Sequence, residues 1–437
     1  MGEARFDAFL ETLAPAGGPG AAVAVRLGDE VIHSGAHGLA NVEWGVPIDT
    51  DTVFRIGSIT KQFTAAAILR LAAEGLLAID DPIERHLPDY PVGERRITVR
   101  HLLNHTSGIK SYSALPNLAD FVRKDLSLSE LIDVFKATPP DFAPGERYLY
   151  NNSGYILLGA IIEALSGESY EAYLAETFFE PLGLTRTCYL HEAPIVPKRA
   201  SGYAMTPGLR NAPPLSMNLP HAAGALGSTV GDLLAWEKAL RSGKAVSPDD
   251  YTAMTTPGRL DDGTPLGYGF GLTSQLYRGH RIVGHSGGIN GFLSDLLYWP
   301  EHDLTVVVLS NSSAFPVQQA SYGLARLALG LEDLVRETIP SDAAELEACA
   351  GVYRFELGLV ASLKVKEGQL TAQFPRPGSV FLPFGPGAFH LATDPEVTLR
   401  FGDPREGVYQ RVDYASYSSP NSARRIPRRE PASATPA

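Results

Sequence analysis

Gly284-His285-Ser286-Gly287-Gly288, GHSGG, decides between two folds. As a bare pattern it is G-x-S-x-G, the nucleophile elbow, in which a strand turns sharply into a helix and exposes a serine at the turn. On that reading Ser286 is the nucleophile of an α/β-hydrolase. The flanks argue otherwise. HRIV before the motif reads as a strand, but GINGFLSDLLYW after it continues as turn and strand, and no helix follows. The glycine pair suits a strand edge that a ligand approaches closely.

Working outward from GHSGG, the pattern from residue 268 has period two. YGFGLTSQLY, HRIVGHS, FLSDLLYW and LTVVVLS are short runs, with turns at RGH (278–280) and PEHD (300–303). They predict an antiparallel meander. Near the other end, AAVAVRLGDEVIHSGAHG reads as a hairpin turning at Gly28-Asp29. The chain between is mostly helical. From Ser58 to about Gly75 the apolar residues run nearly all round, which predicts a buried helix. ERYLYNNSGYILLGAIIEALSG (146–167) reads as a turn and an apolar helix closed by Gly167. Residues 190–222 are Pro-rich and irregular, GDLLAWEKALRSG and 316–332 are helical, and Trp236 and Trp299 read as core.

The fold class expected is α+β. An antiparallel sheet built from strands at both ends of residues 1–335 is flanked by helices and carries a helical insert. Residues 336–345 read as a linker. Over 346–415, GVYRF, VASLKV, QLTAQF, SVFLPF, AFHLA, EVTLRF and GVYQRV predict a small β-barrel or sandwich. Residues 416–437, rich in Pro, Ser and Ala around Arg424-Arg425 and Arg428-Arg429, read as a disordered tail.

Composition excludes several function classes. The 437 residues carry a net charge of −12, which argues against a nucleic-acid or anionic-membrane partner. Two cysteines, Cys188 and Cys349, lie far apart and suggest neither a disulfide framework nor a zinc site. The N-terminus shows no basic segment followed by an apolar run, and no stretch reaches a transmembrane length. The chain as given reads as soluble and cytoplasmic, and a leader removed ahead of residue 1 is compatible with that. No cofactor or metal is called for.

Chemistry concentrates at Ser58-Ile59-Thr60-Lys61, an S-x-x-K. Gly57 allows a tight turn, Ser58 opens the helix, and Lys61 lies on the same face one turn later. An apolar helix desolvates that lysine, which lowers its pKa and makes it a base. Ser107-Gly108-Ile109-Lys110 has the same spacing, but Gly108 behaves as a helix stop, so its serine and lysine need not meet. Tyr150-Asn151-Asn152 is the only Tyr-x-Asn. A phenol near an ammonium can pass a proton, and an asparagine two residues on can bind an amide. Alone, these would pass for a turn tyrosine and a cap. His101 and His105 have metal-ligand spacing without a carboxylate on that face, so a structural role is favoured.

GSITK, YNN and HSG, in that order, resemble the active-site signature of the penicillin-recognising serine hydrolases. That family includes class C β-lactamases, D,D-carboxypeptidases, family VIII esterases and D-aminopeptidases. VFRIGSITKQFTAAAI, HLLNHTSGI, PGERYLYNNSGYILLGAIIE, YGFGL and GHSGGINGF look similar to it as well, over roughly residues 5–335. The resemblance implies a β-lactamase/transpeptidase-like fold with a C-terminal lipocalin-like β-domain, and a site between sheet and helical insert. It implies Ser58 as the acylated nucleophile, with Lys61 and Tyr150 as base and proton shuttle. It implies Asn152, His285, Ser286 and Gly287 as substrate-binding residues, and the backbone N–H groups of Ser58 and Gly288 as the oxyanion hole. Many members carry Lys where this chain has His285, which is neutral or weakly charged near pH 7 and speaks against strong β-lactamase activity.

The function expected is a serine hydrolase of small amides, peptides or esters, D-amino-acid peptides among them. A small-molecule or short-peptide substrate is the expected partner, and an oligomer is compatible. Alternatives are a family VIII-type carboxylesterase, a weak β-lactamase, or a penicillin-binding protein that acylates without turnover.

Overall fold

The computed structural model describes residues 3–14, 17–205, 208–355, 360–373, 378–417 and 421–426. The chain divides into two compact units, Met1–Gly330 and Leu331–Ala437.

In the first unit, helix α1 (Glu3–Glu11) leads into the hairpin of β1 (Ala21–Leu27) and β2 (Glu30–His37), which turns at Gly28 with φ +59°. Helix α2 (Thr60–Ala73) follows a 3-10 turn at Gly57–Ile59. Its TKQFTAAAILRLAA is rich in Ala and Leu, good helix formers. It stops at Gly75, whose φ of +76° lets Gly75 N–H reach Ala72 O and Leu76 N–H reach Leu71 O, both at 3.0 Å. Helix α3 (Asn152–Ser166) is capped by the Asn151 side chain, which accepts from Gly154 N at 2.8 Å, and ends at left-handed Gly167 as predicted. Short helix α4 (His221–Gly224) and helix α5 (Val230–Arg241) follow. The meander is β3 (Thr273–Tyr277), β4 (His280–Ile289), β5 (Phe292–Trp299) and β6 (Leu304–Ser310), and helix α6 (Val317–Leu329) closes the unit.

The sheet order is β3-β4-β5-β6-β1-β2, so the terminal strands do share one antiparallel sheet. LTVVVLS and AAVAVRL pair at its centre, from Ala21 opposite Ser310 to Leu27 opposite Leu304. Both are apolar almost throughout because both faces are covered. Helices α1 and α6 pack on one face and α5 on the other. Trp236 of α5 and Trp299 are fully buried, and Trp236 stacks on Phe63 of α2 at 3.8 Å. β4 runs unbroken through GHSGG and turns at Gly291 into β5, so the elbow reading is excluded by the backbone.

In the second unit, α7 (Ala343–Cys349) precedes a closed barrel. Its strands are β7 (Gly351–Phe355), β8 (Val360–Lys366), β9 (Gln369–Ala372), β10 (Ser379–Gly385), β11 (Ala388–Leu391), β12 (Asp394–Arg405), β13 (Val408–Ser416) and β14 (Asn421–Ile426). Two expectations change. Part of the supposed linker is helical, capped by Asp342 Oδ1 accepting from Glu345 N. The supposed tail contributes a strand. Asn421–Ile426 pairs with β7 on one side and β13 on the other and so closes the barrel. Ala423 is buried, and the Arg425 guanidinium donates to Ala350 O at 2.6 Å. Composition cannot register a strand that closes a barrel by pairing with a strand some seventy residues upstream. The rest of the expected tail, 418–420 and 427–437, lies outside the described residues.

Among the described residues no helix is long and apolar enough to cross a membrane.

Candidate active site

The site is assembled where the start of α2 meets the edge of β4. Gly57 has φ +52°, and a Cβ there would come within 2.9 Å of Gly288 N. Only glycine allows both that backbone and that approach. Ser58 therefore opens the helix directly against the strand, and Lys61 follows one turn later.

Lys61 is fully buried. Its Nζ lies 3.2 Å from Ser58 Oγ, 2.9 Å from Asn152 Oδ1 and 2.8 Å from Ala223 O. None of the three carries charge, and Lys61 makes no ion pair among the described residues. Desolvation without a counter-charge holds its pKa well below the ordinary lysine range. The rings of Tyr150 and Tyr155, 4.8 and 5.3 Å from Nζ, are the other stabilising neighbours.

Tyr150 Oη is buried and has no hydrogen-bond partner of good geometry. Burial pushes the phenol well above its usual pKa, with the Ser58 hydroxyl acting in the opposite sense. The tyrosine is thus held as a proton donor while the lysine is held toward its neutral, proton-accepting form.

Asn152 sits on the first turn of α3, where the cap at Asn151 aims it toward Lys61. Its Nδ2 donates to Ser113 Oγ at 3.2 Å, and its backbone N–H donates to Ser111 Oγ at 3.3 Å. Sequence reasoning passed over these two serines. They lie in a loop about forty residues upstream, and only the bonds across to α3 reveal their place.

The strand residues divide by the pleat. His285 and Gly287 face α2, while Ser286 lies opposite Asp295 and shares its face with Ser321 of α6, the far side of the sheet. His285 is buried. Its Nδ1 lies 2.6 Å from the Ser286 carbonyl, which can only accept, so Nδ1 carries the hydrogen and Nε2 accepts from Tyr268 at 2.8 Å. Burial and the nearby Lys61 push His285 down to about 3, so it is neutral. Gly287 is required because a Cβ would strike Ile56 O at 2.0 Å. Of the residues predicted on this strand, Gly288 reaches the cleft, while His285 and Ser286 place no side chain there.

That cleft holds about 190 Å³. Ser58, Asn152, Ser113 and Gly288 form its polar end, and Leu118, Val122, Leu215 and Leu219 its apolar walls. A small polar reacting group with an apolar neighbour fits it.

The remaining candidates are structural. His101 Nδ1 accepts from Thr98 N in a capping box. His105 Nδ1 accepts from Asn151 N at 3.1 Å, and its ring packs 4.4 Å from Tyr150. No group of residues suited to a metal occurs among the described residues.

Comparison with known proteins places the first unit in a family. A family model described as Beta-lactamase matches residues 6–329. Penicillin-binding protein 4* of Bacillus subtilis is 29% identical over 65% of this chain and 66% of its own length. A D-aminopeptidase of Gluconobacter oxydans is 31% identical over 75% of this chain and 62% of its own. The matches thus span just under two thirds of both relatives. The octameric penicillin-binding protein homologue from Pyrococcus abyssi superposes with a TM-score of 0.67 at 28% identity, covering 96% of this chain and 99% of that one.

Proposed function

The chain belongs to the Beta-lactamase family, and we propose that it is a serine hydrolase that forms an acyl-enzyme on Ser58. Its substrates are small amides, peptides or esters, with D-amino-acid derivatives the first to try. The observation that carries the reading is the buried Lys61 Nζ, 3.2 Å from Ser58 Oγ with no carboxylate to keep it charged.

Neutral Lys61 takes the proton of Ser58 as Oγ attacks the substrate carbonyl carbon. The carbonyl oxygen becomes an oxyanion, stabilised by the backbone N–H groups of Ser58 and Gly288. Breakdown of the tetrahedral intermediate breaks the bond to the leaving group, which takes a proton from Tyr150. Lys61 returns its proton to Tyr150. Water then attacks the acyl carbon, giving one proton to Lys61. As the Oγ–C bond breaks, Lys61 passes that proton to Ser58 Oγ, which releases the acid and restores both residues. Asn152 Nδ2 orients the substrate amide.

His285 is neutral and turned toward Tyr268, so no cation stands at the third motif to hold a carboxylate on the leaving group. That favours amides and esters over β-lactams. The relative named D-aminopeptidase motivates the D-configured substrates. The test compares D-Ala-p-nitroanilide, L-Ala-p-nitroanilide, p-nitrophenyl esters and nitrocefin, with wild type and Ser58→Ala. Turnover of an anilide or ester, lost in Ser58→Ala, supports the reading. Nitrocefin as the best substrate by a wide margin, or full activity in Ser58→Ala, refutes it.

A further inference from the structure

Past Leu215 and Asn290, which line both spaces, the catalytic cleft continues into a second cavity of about 560 Å³. Its walls carry three guanidiniums, Arg55, Arg123 and Arg199, and two carboxylates, Asp125 and Glu192. The charges are not paired off. Glu192 is ion-paired with Arg55, whose guanidinium also lies 5.6 Å from the Phe292 ring centroid. Asp125 accepts from Ser216 Oγ at 2.6 Å. Arg199 donates to His191 O at 2.9 Å but has no carboxylate within ion-pair distance among the described residues, and its charge repels Arg55. Arg123 is exposed and makes neither hydrogen bond nor ion pair among the described residues. With Arg55 and Glu192 paired, Arg123 and Arg199 face the single carboxylate of Asp125, which leaves the cavity net positive in a chain whose net charge is −12.

Direction along β4 says which part of a substrate reaches this cavity. Tyr150 lies beside His285, with ring centroids 6.0 Å apart, toward the start of the strand. Gly288 is next to Ser58, and Asn290 follows the strand's end. A carbonyl at Gly288 therefore has its leaving group toward Tyr150 and its acyl tail toward Asn290. Three guanidiniums against two carboxylates leave one positive charge, which matches a carboxylate better than a phosphate dianion. Guanidinium forks also suit carboxylate geometry.

We propose that this cavity is an acyl-side subsite for a substrate carboxylate, with Arg123 and Arg199 as its specificity-determining residues. The proposal rests on Ser58 as the nucleophile, and its test separates the two. The p-nitrophenyl monoester of glutaric acid is compared with p-nitrophenyl valerate, which has the same chain length without the charge. Wild type is expected to favour the glutarate ester. Arg123→Ala and Arg199→Ala each lower kcat/KM on it about tenfold, mainly through KM, while valerate stays within about twofold. Arg123 is exposed, so Arg123→Glu keeps the fold and lowers the glutarate rate further. A second arm puts the carboxylate on the leaving group, comparing 4-carboxyphenyl valerate with its methyl ester. A charge preference in that arm alone overturns the acyl-side assignment. Equal losses on glutarate and valerate, or no preference, overturn the subsite. Calorimetric titration with 5-oxohexanoate, the methyl ketone that matches monomethyl glutarate in shape but has no leaving group, reads binding without turnover. Binding weakened in Arg123→Glu is expected, and no binding, or equal binding in both, overturns the subsite whatever the nucleophile proves to be.

Discussion

The chain contains S-x-x-K twice, and the two copies have opposite environments. At Ser58–Lys61 the serine starts a helix and the lysine follows on its buried face, meeting only neutral acceptors. At Ser107–Lys110 the turn at Gly108, φ +70°, separates the pair. Ser107 Oγ is buried and accepts from Ile109 N, while Lys110 is paired with Asp141 at 2.6 Å and is partly exposed. One lysine is desolvated without a counter-charge, and the other has both a counter-charge and water. The spacing supplies the residues, but helix geometry and burial supply the chemistry.

The largest expected difference comes from removing each amine. Lys61→Met should lower kcat/KM by about 10²–10⁴-fold, while Lys110→Met should leave it within about twofold, because partly exposed pairs contribute little. Lys61→Met should also raise the Tm at pH 7. The folded state depresses the Lys61 pKa, so stability is lost as pH falls below the unfolded lysine value, and methionine removes that cost. Steady-state rates with a thermal melt check both. Equal losses from the two variants would end the distinction between the copies.

Next in size is the proton donor. Tyr150→Phe should cost about 10²-fold in kcat/KM, with more of the loss on anilides than on activated esters, whose leaving groups need no proton. An equal loss on both substrate types would remove the donor role.

The glycines sharpen the contrast further. Both Gly57 and Gly108 are left-handed and crowded, Gly57 by Gly288 N and Gly108 by Phe142 O. Alanine at either should cost about 1–3 kcal/mol of stability. Gly57→Ala should in addition lower the activity of the folded fraction, because it moves Ser58 relative to Gly288. Gly108→Ala should not. Denaturant melts paired with active-site titration separate the two effects.

The smallest effect tests the pH dependence assigned to Lys61. Activity should fall on acidification as Lys61 gains a proton. Asp295, buried on the back of β4 and β5, is pushed up by burial from 3.8 to about 6 and could be mistaken for the titrating group. Its raised pKa means that its contribution to stability is full below 3.8 and is lost as pH rises through about 6. The shift corresponds to roughly 3 kcal/mol. Asp295→Asn should therefore gain Tm relative to wild type at pH 8 more than at pH 5, while the acid limb of kcat/KM stays in place. Loss of that limb would assign it to Asp295.

Much of this was legible in the sequence because it is local. The hairpin at 21–37, the helix after Ser58, the helix closed by Gly167 and the meander from 273 each follow from periodicity and turn residues within one segment. GHSGG was legible as a strand for the same reason. Within it His285, Ser286 and Gly287 were grouped as substrate-binding residues, yet a pleated strand cannot aim adjacent side chains at one cleft, and none of the three lines it. Contacts across the fold stayed hidden. Ser111 and Ser113 reach Asn152 from a loop, and Ala223 O reaches Lys61 from α4. Tyr268 takes up Nε2 of His285, and β14 finds its partners at both ends of the barrel. Sequence pattern records what a segment prefers, whereas these contacts depend on which segments the fold brings together.

The central claim is that Ser58, alone among the candidate serines, is activated. Labelling the folded protein with a fluorophosphonate and mapping the modified peptide tests it most directly. Label on Ser58, abolished in Lys61→Met and unaffected in Lys110→Met, is the predicted result. Label on Ser107 or Ser286 would contradict it.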